Sequence, residues 1–87
     1  MEYTLELATQ ARKDYKKIER NPLKETVTSL LSILKRNPWQ NPPPYEILEG
    51  RLDGYISRRI NIQHRLVYKV FKEEKIVRVI RMWSHYE

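Results

Sequence analysis

The chain has 87 residues, 40% hydrophobic and 32% charged, with no cysteine and a formal net charge of +6. This length predicts one domain spanning 1–87, and the composition is that of a folded chain rather than a disordered one. Disulfides, thiolate metal sites and a membrane-spanning run of about 18 apolar residues are excluded. No secretory signal is recognisable, so we expect a cytoplasmic protein, and the excess of Lys and Arg favours a polyanionic or acidic partner.

The first part of the chain predicts one strand followed by two helices. Residues 3–7 alternate apolar and polar side chains, which is typical of a strand. A short amphipathic helix is predicted at 10–19 with Thr9 as its N-cap, and a second at 23–35 from leucines at helical spacing. An Asn-Pro pair follows each helix and ends it. The two helices should therefore form a hairpin against one face of a sheet.

The rest of the chain predicts four strands after a proline-rich loop. The predicted strands are residues 45–52, 55–62, 65–71 and 75–83. Asp53-Gly54 is a hairpin signal, because glycine readily adopts the positive φ that such turns need. The expected fold is α+β, in the order β-α-α-β-β-β-β, with the helix hairpin packed on one face of a mostly antiparallel twisted sheet. The other face is then available to solvent or a ligand.

The charged side chains of this predicted sheet include the groups that RNA cleavage requires. Attack by the RNA's own 2′-hydroxyl needs a base, a cation beside the phosphate and an acid for the leaving 5′-oxygen, and no metal or other cofactor. Glu46 supplies a carboxylate, and His85 supplies an imidazole beside the phenol of Tyr86. The candidate cations are Arg51, Arg58 or Arg59, and Arg65.

Each of these groups also has a structural explanation. A surface ion pair with an arginine accounts equally well for Glu46, and a polar chain terminus for His85. Arg58 and Arg59 are adjacent, so they point to opposite faces of a strand and one of them should be solvated or salt-bridged. Two histidines without cysteine or metal-ligand spacing provide no ligand set for a metal.

Four segments together resemble the Txe/YoeB branch of the RelE toxin superfamily. They are Glu-Ile-Leu at 46–48, Leu-Asp-Gly-Tyr-Ile-Ser-Arg-Arg-Ile at 52–60, His-Arg-Leu-Val-Tyr at 64–68 and Arg-Met-Trp-Ser-His-Tyr at 81–86. The resemblance implies a RelE-like fold and a bacterial type II toxin, an endoribonuclease that cuts mRNA on the translating 70S ribosome. It also implies neutralisation by a cognate antitoxin of the YefM/Axe kind, and it leaves open whether the chain forms a homodimer.

The resemblance also implies a role for each matching residue. Glu46 would be the general base, Arg65 the cation that stabilises the phosphate in the transition state, and His85 the general acid. Tyr86 would orient the substrate beside His85. The substrate-binding residues would be Arg51 together with Arg58 or Arg59.

Two other functions are compatible with the sequence. One is a non-catalytic RelE-fold module that binds an antitoxin and represses operon DNA with it. The other is an unrelated small RNA- or DNA-binding domain, which would need an aromatic stacking face, and Tyr55 with Tyr68 is too few for one. The joint presence of Glu46, Arg65 and His85 favours the enzyme, because a binding module needs no positioned base and acid.

Overall fold

The computed structural model describes residues 2–50 and 54–83. The elements follow the predicted order, β-α-α-β-β-β-β. They are β1 (Thr4–Leu7), α1 (Thr9–Ile18), α2 (Lys24–Arg36), β2 (Glu46–Ile47), β3 (Ile56–Arg59), β4 (Arg65–Phe71) and β5 (Ile76–Arg81). The predicted strand at 65–71 has the predicted bounds, whereas the other three predicted C-terminal strands are shorter than expected.

The described strands form one five-stranded sheet in the order β1-β5-β4-β3-β2. Strand β1 runs parallel to β5, with Leu5 opposite Val77, and every other pair is antiparallel. A parallel pair requires a crossover connection, and the long path through both helices and the meander supplies it. The predicted mostly antiparallel sheet is confirmed.

Both helices cover one face of the sheet through their apolar stripes. Helix α1 packs on β5 and β1, and α2 packs on β1. Ala11 and Ile18 are the buried apolar residues of α1, and Val27, Leu30 and Leu34 are those of α2. They join side chains of the sheet in one core cluster. The core side chains from the sheet and its ends are Ile56, Ile60, Leu66, Tyr68, Val77, Val79 and Met82.

The prediction that Thr9 caps α1 is wrong, because the helix begins at Thr9 and Ala8 is the capping residue. The amide of Ala8 donates to the carbonyl of Val79, which continues the bonding between β1 and β5. The carbonyl of Ala8 already accepts the amide of Arg12, the first helical bond. The strand therefore passes directly into the helix without a side-chain cap.

Five residues separate the end of β3 at Arg59 from the start of β4 at Arg65, and they form a tight turn. The amides of Ile60 and Asn61 both donate to the carbonyl of His64. The Asn61 side chain accepts the amides of Gln63 and His64 at 2.9 and 2.6 Å. Of the predicted hairpin pair at 53–54, Asp53 lies outside the described residues, and Gly54 has a φ of +87° as the prediction requires.

One buried carboxylate ties α1 to the end of β5. Asp14 is 3% exposed and accepts the side-chain amide of Gln10 at 2.9 Å and the backbone amide of Met82 at 3.0 Å. Sequence periodicity assigns Asp14 no such role. Among the described residues, no helix is both long enough and apolar enough to cross a membrane.

Candidate active site

Strands β2, β3 and β4 bring four polar residues to the face turned away from the helices. Glu46 lies opposite Ser57, and Arg59 lies opposite Arg65. Ser57 and Arg59 are two residues apart, so their side chains point to the same side of β3. This side is the reverse of the one on which Ile56 joins the helix-covered core. A pocket of about 310 Å³ opens there, lined by Pro44, Tyr45, Glu46, Ser57, Arg59 and Arg65.

Glu46 and Arg65 face each other across this pocket. Nη1 of Arg65 lies 3.9 Å from Oε1 of Glu46, and the two side chains are 24% and 63% exposed. That distance exceeds the 2.7–2.9 Å typical of a charge-assisted hydrogen bond, so the contact is a loose, solvent-screened ion pair. The pairing anticipated as a structural explanation is present.

Ser57 contributes a buried hydroxyl beside the carboxylate. The residue is 1% exposed, and its Oγ has no hydrogen-bond partner. An unpaired buried hydroxyl costs folding free energy, because the group has lost water without gaining a replacement. The site therefore contains a buried polar group next to Glu46 whose hydrogen bonding is unsatisfied.

The structure buries Arg58, one of the two adjacent arginines between which the prediction of a substrate contact left a choice. Arg58 is 1% exposed and lies on the helix-covered side of β3, where side chains alternate with that of the exposed Arg59. Its guanidinium donates to the carbonyls of the proline-rich loop and to the hydroxyl of Tyr68. Of the two adjacent arginines, only Arg59 lines the pocket.

Tyr68 extends the same buried network. Its hydroxyl accepts Nε of Arg58 at 3.0 Å and donates to the carbonyl of Pro38 at 2.9 Å. Burial raises the pKa of the Tyr68 phenol above its ordinary value, although the bond and charge of Arg58 act in the opposite direction. The phenol is therefore protonated at neutral pH and serves as both donor and acceptor. We refer to Arg58, Tyr68 and the loop carbonyls of Pro38, Gln40 and Pro43 as the Arg58 network.

Three of the residues assigned to the site from the sequence lie outside the described part of the chain: Arg51, His85 and Tyr86. The described chain ends at Trp83, whose ring stacks on the imidazole of His64 with centroids 4.3 Å apart. The ammonium of Lys17 lies 5.8 Å from the same ring. His64 directly precedes Arg65, so these contacts hold Trp83 close to the turn that precedes the site arginine.

Sequence reasoning missed the Arg58 network and the buried role of Asp14. The available signal was the alternation of β3, which places Arg58 on the same side as Ile56 and Ile60. A charged residue on an apolar side indicates a buried, fully bonded group. Within 2–50 and 54–83, no group of three or more His, Asp or Glu side chains is arranged to hold a metal ion.

The fold and the site together define a class of protein. Two helices on a mostly antiparallel five-stranded sheet are the architecture of RelE-like toxins. The structure of a YoeB/ParE toxin from Agrobacterium tumefaciens superposes with a TM-score of 0.87 and 32% identity, covering 95% of this chain and 99% of that one. A YoeB dimer from Staphylococcus aureus has a TM-score of 0.80 and 31% identity, covering 99% and 100%.

Sequence comparisons lead to the particular family. The model described as "YoeB-like toxin of bacterial type II toxin-antitoxin system" matches residues 7–86, and this chain belongs to that family. Toxin YoeB from Mycobacterium bovis is 38% identical over 60 residues, which are 69% of this chain and 68% of that protein. Toxin YoeB from Synechocystis is 33% identical over 76 residues, covering 85% and 86%. The resemblance read from the four sequence segments is confirmed.

Proposed function

We propose that this toxin is an endoribonuclease that cleaves mRNA on the translating ribosome in the cytoplasm and so inhibits translation. The observation that supports this most directly is the meeting of Glu46 with Arg65 across one pocket, 3.9 Å apart. Arg59 lines the same pocket. A carboxylate with two guanidinium groups suits a phosphodiester whose neighbouring hydroxyl must lose a proton.

The proposed mechanism uses the RNA's own 2′-hydroxyl as the nucleophile. Glu46 takes the hydroxyl proton while the oxygen attacks the adjacent phosphorus, forming a 2′,3′-cyclic phosphate. Arg65 and Arg59 stabilise the additional negative charge on the phosphoryl oxygens. The bond to the 5′-oxygen breaks, and His85 gives that oxygen a proton. Tyr86 orients the substrate beside His85, and Arg51 adds a further phosphate contact.

We propose two kinds of protein partner for this chain, an antitoxin and a second copy of itself. Staphylococcus aureus YoeB has been crystallised as a heterotetrameric complex with YefM and as a dimer. By analogy, a cognate antitoxin of the YefM/Axe kind neutralises this chain, and homodimerisation is compatible with its family. The net charge of +6 favours contacts with ribosomal RNA, which would weaken as salt rises.

The experiment that tests the proposed function is induced expression in bacteria with primer extension on a defined mRNA. The wild type is compared with Glu46→Gln and with His85→Ala. General acid–base groups typically contribute about 10²–10⁴-fold, so both variants should lose growth arrest and new mRNA 5′ ends. Glu49→Gln is the matched control, because Glu49 is an exposed carboxylate three residues from Glu46.

The outcomes separate the enzyme from the non-catalytic RelE-fold module. Arrest and cleavage that persist in the control and disappear in Glu46→Gln support the enzyme. A soluble wild type that causes neither arrest nor new ends would instead support a non-catalytic module that binds an antitoxin and represses operon DNA. Cleavage that survives in Glu46→Gln would remove the carboxylate from the mechanism.

A further inference from the structure

Arg58 carries a positive charge into the interior, and no carboxylate in the described part of the chain pairs with it. Its contacts among the described residues are neutral: three backbone carbonyls, the Tyr68 hydroxyl and the face of the Tyr45 ring. Burying a guanidinium is costly unless its donors are well satisfied. The buried guanidinium of Arg58 is therefore better explained by the loop conformation that its hydrogen bonds impose than by packing alone.

Three hydrogen bonds of Arg58 converge on the proline-rich loop that leads into β2. Nη1 donates to the carbonyl of Pro43 at 2.6 Å. Nη2 donates to the carbonyls of Pro38 and Gln40 at 3.0 and 2.8 Å. The Tyr68 hydroxyl, itself bonded to Nε, makes a second bond to Pro38. The beginning and the end of the loop are thereby fixed to β3 and β4.

This network reaches Glu46 through the residue that precedes it. The Tyr45 ring lies 5.1 Å from Cζ of Arg58 and meets the Trp39 ring edge-on with centroids 6.2 Å apart. Glu46 begins a strand of two residues, which pairs with β3 and lies at one edge of the sheet that the described strands form. So short a strand fixes its side chains weakly by its own backbone bonds. The direction of the Glu46 carboxylate therefore depends on the loop.

We infer that Arg58, with Tyr68, is a positioning residue for the Glu46 carboxylate, and not a ligand of the RNA phosphate. The inference rests on the proposed function, in which Glu46 is the general base. It gives the two adjacent arginines different roles: Arg59 faces the pocket, and Arg58 holds in place the loop that presents the base. Lysine cannot replace Arg58, because a single ammonium cannot bond several carbonyls in the planar fork of a guanidinium.

The test is a kinetic comparison of full-length variants on ribosomes programmed with a defined mRNA, measured over a range of ribosome concentrations. A misplacement of about 1 Å typically costs on the order of 10²-fold in rate, so Arg58→Lys should lower kcat by about 10²-fold. KM should stay unchanged, because substrate binding is left to other groups. Tyr68→Phe, which keeps the buried ring and removes two hydrogen bonds, should lower kcat by about tenfold.

Matched controls separate positioning from loss of folding. Arg36→Lys makes the same replacement on the exposed last turn of α2, and Tyr15→Phe removes a phenol from a half-buried residue of α1. Both should cleave as the wild type does. Thermal melts identify any variant that has unfolded. If Arg58→Lys shows no cooperative melt, Tyr68→Phe carries the test, since its core volume is preserved.

The decisive measurement adds Glu46→Gln to each variant. If Arg58 acts through Glu46, Arg58→Lys and Tyr68→Phe cause no further loss of kcat once Glu46 has been replaced. Losses that multiply, or a raised KM with an unchanged kcat, would overturn the positioning role while leaving the nuclease intact. A Glu46→Gln protein that cleaves like the wild type would instead refute the proposed base, and the inference with it.

Discussion

The two sides of strand β3 use the same residue type for opposite purposes. On the helix-covered side, Arg58 is buried, and its contacts with residues 2–50 and 54–83 are all with neutral groups. On the other side, Arg59 is exposed and lines the pocket with Glu46 and Arg65. The difference teaches that a basic cluster in a sequence does not specify a binding surface until the alternation of the strand is combined with burial.

The two edges of the sheet differ in a related way. The β1 edge is covered by both helices, and its alternate side chains, Leu5 and Leu7, pack against the apolar core. The β2 edge has two strand residues and is supported by a loop that the Arg58 network holds in place. Apolar packing supports the edge without site residues, whereas directional hydrogen bonds support the edge that presents Glu46.

The largest effect on stability is expected from removing the buried guanidinium. Arg58→Met should lower the free energy of unfolding by about 3 kcal/mol or more, because several carbonyls and the Tyr68 hydroxyl lose their charged partner in the interior. Chemical denaturation of the two proteins measures the difference. A stability equal to that of the wild type would show that the network contributes only to the shape of the loop.

The next effect concerns the core formed by the helices. Leu34 is fully buried in α2, so Leu34→Ala should cost about 2–5 kcal/mol. Leu31 on the same helix is only partly buried against the core, so Leu31→Ala should cost less. Equal losses in thermal or chemical melts would contradict the observed orientation of the helix.

Arg59→Ala is the counterpart of the Arg58 replacement. It should change stability by less than about 0.5 kcal/mol, because the residue is exposed. Cleavage should fall by about tenfold, because one charge-assisted contact to phosphate is lost. Both effects are measured on one preparation, the stability by chemical unfolding and the activity by ribosome-dependent cleavage. A destabilised protein with full activity would reverse the assignment of the two arginines.

Ser57→Ala should raise stability by about 1 kcal/mol, because it removes a buried hydroxyl that has no partner. The measurement is the midpoint of urea unfolding at constant slope. A lower midpoint would show that the hydroxyl forms a stabilising bond in solution. Because Ser57 and Arg58 lie on opposite sides of β3, neither result changes the interpretation of the Arg58 network.

The smallest effect concerns alkaline pH. Burial raises the pKa of Tyr68 in the folded protein, so above the ordinary tyrosine value of about 10 the unfolded chain loses this proton before the native state does. Stability should therefore decrease as pH rises from about 10 towards the folded pKa. Melting temperatures of the wild type and Tyr68→Phe, measured across this pH range, give the contribution of Tyr68. If the melting temperature falls equally fast with pH in both proteins, the raised pKa of Tyr68 does not contribute to stability.

The sequence by itself determined the element order, the apolar stripe of α2, the bounds of the strand at 65–71 and the family. These features depend on local periodicity, on proline and glycine positions, and on short motifs, all of which act within a few residues along the chain. Glu46 and Arg65 were also identifiable as candidates from their chemistry and from the resemblance.

Tertiary structure alone decided the strand order, the parallel pairing of β1 with β5, the burial of Asp14 and the separation of Arg58 from Arg59. Each of these depends on groups far apart in sequence: Asp14 bonds Met82, and Arg58 bonds a loop 15–20 residues away. Local pattern indicates which side of a strand a residue occupies. What covers that side is fixed only when the whole chain has packed, because burial and hydrogen-bond partners come from distant segments.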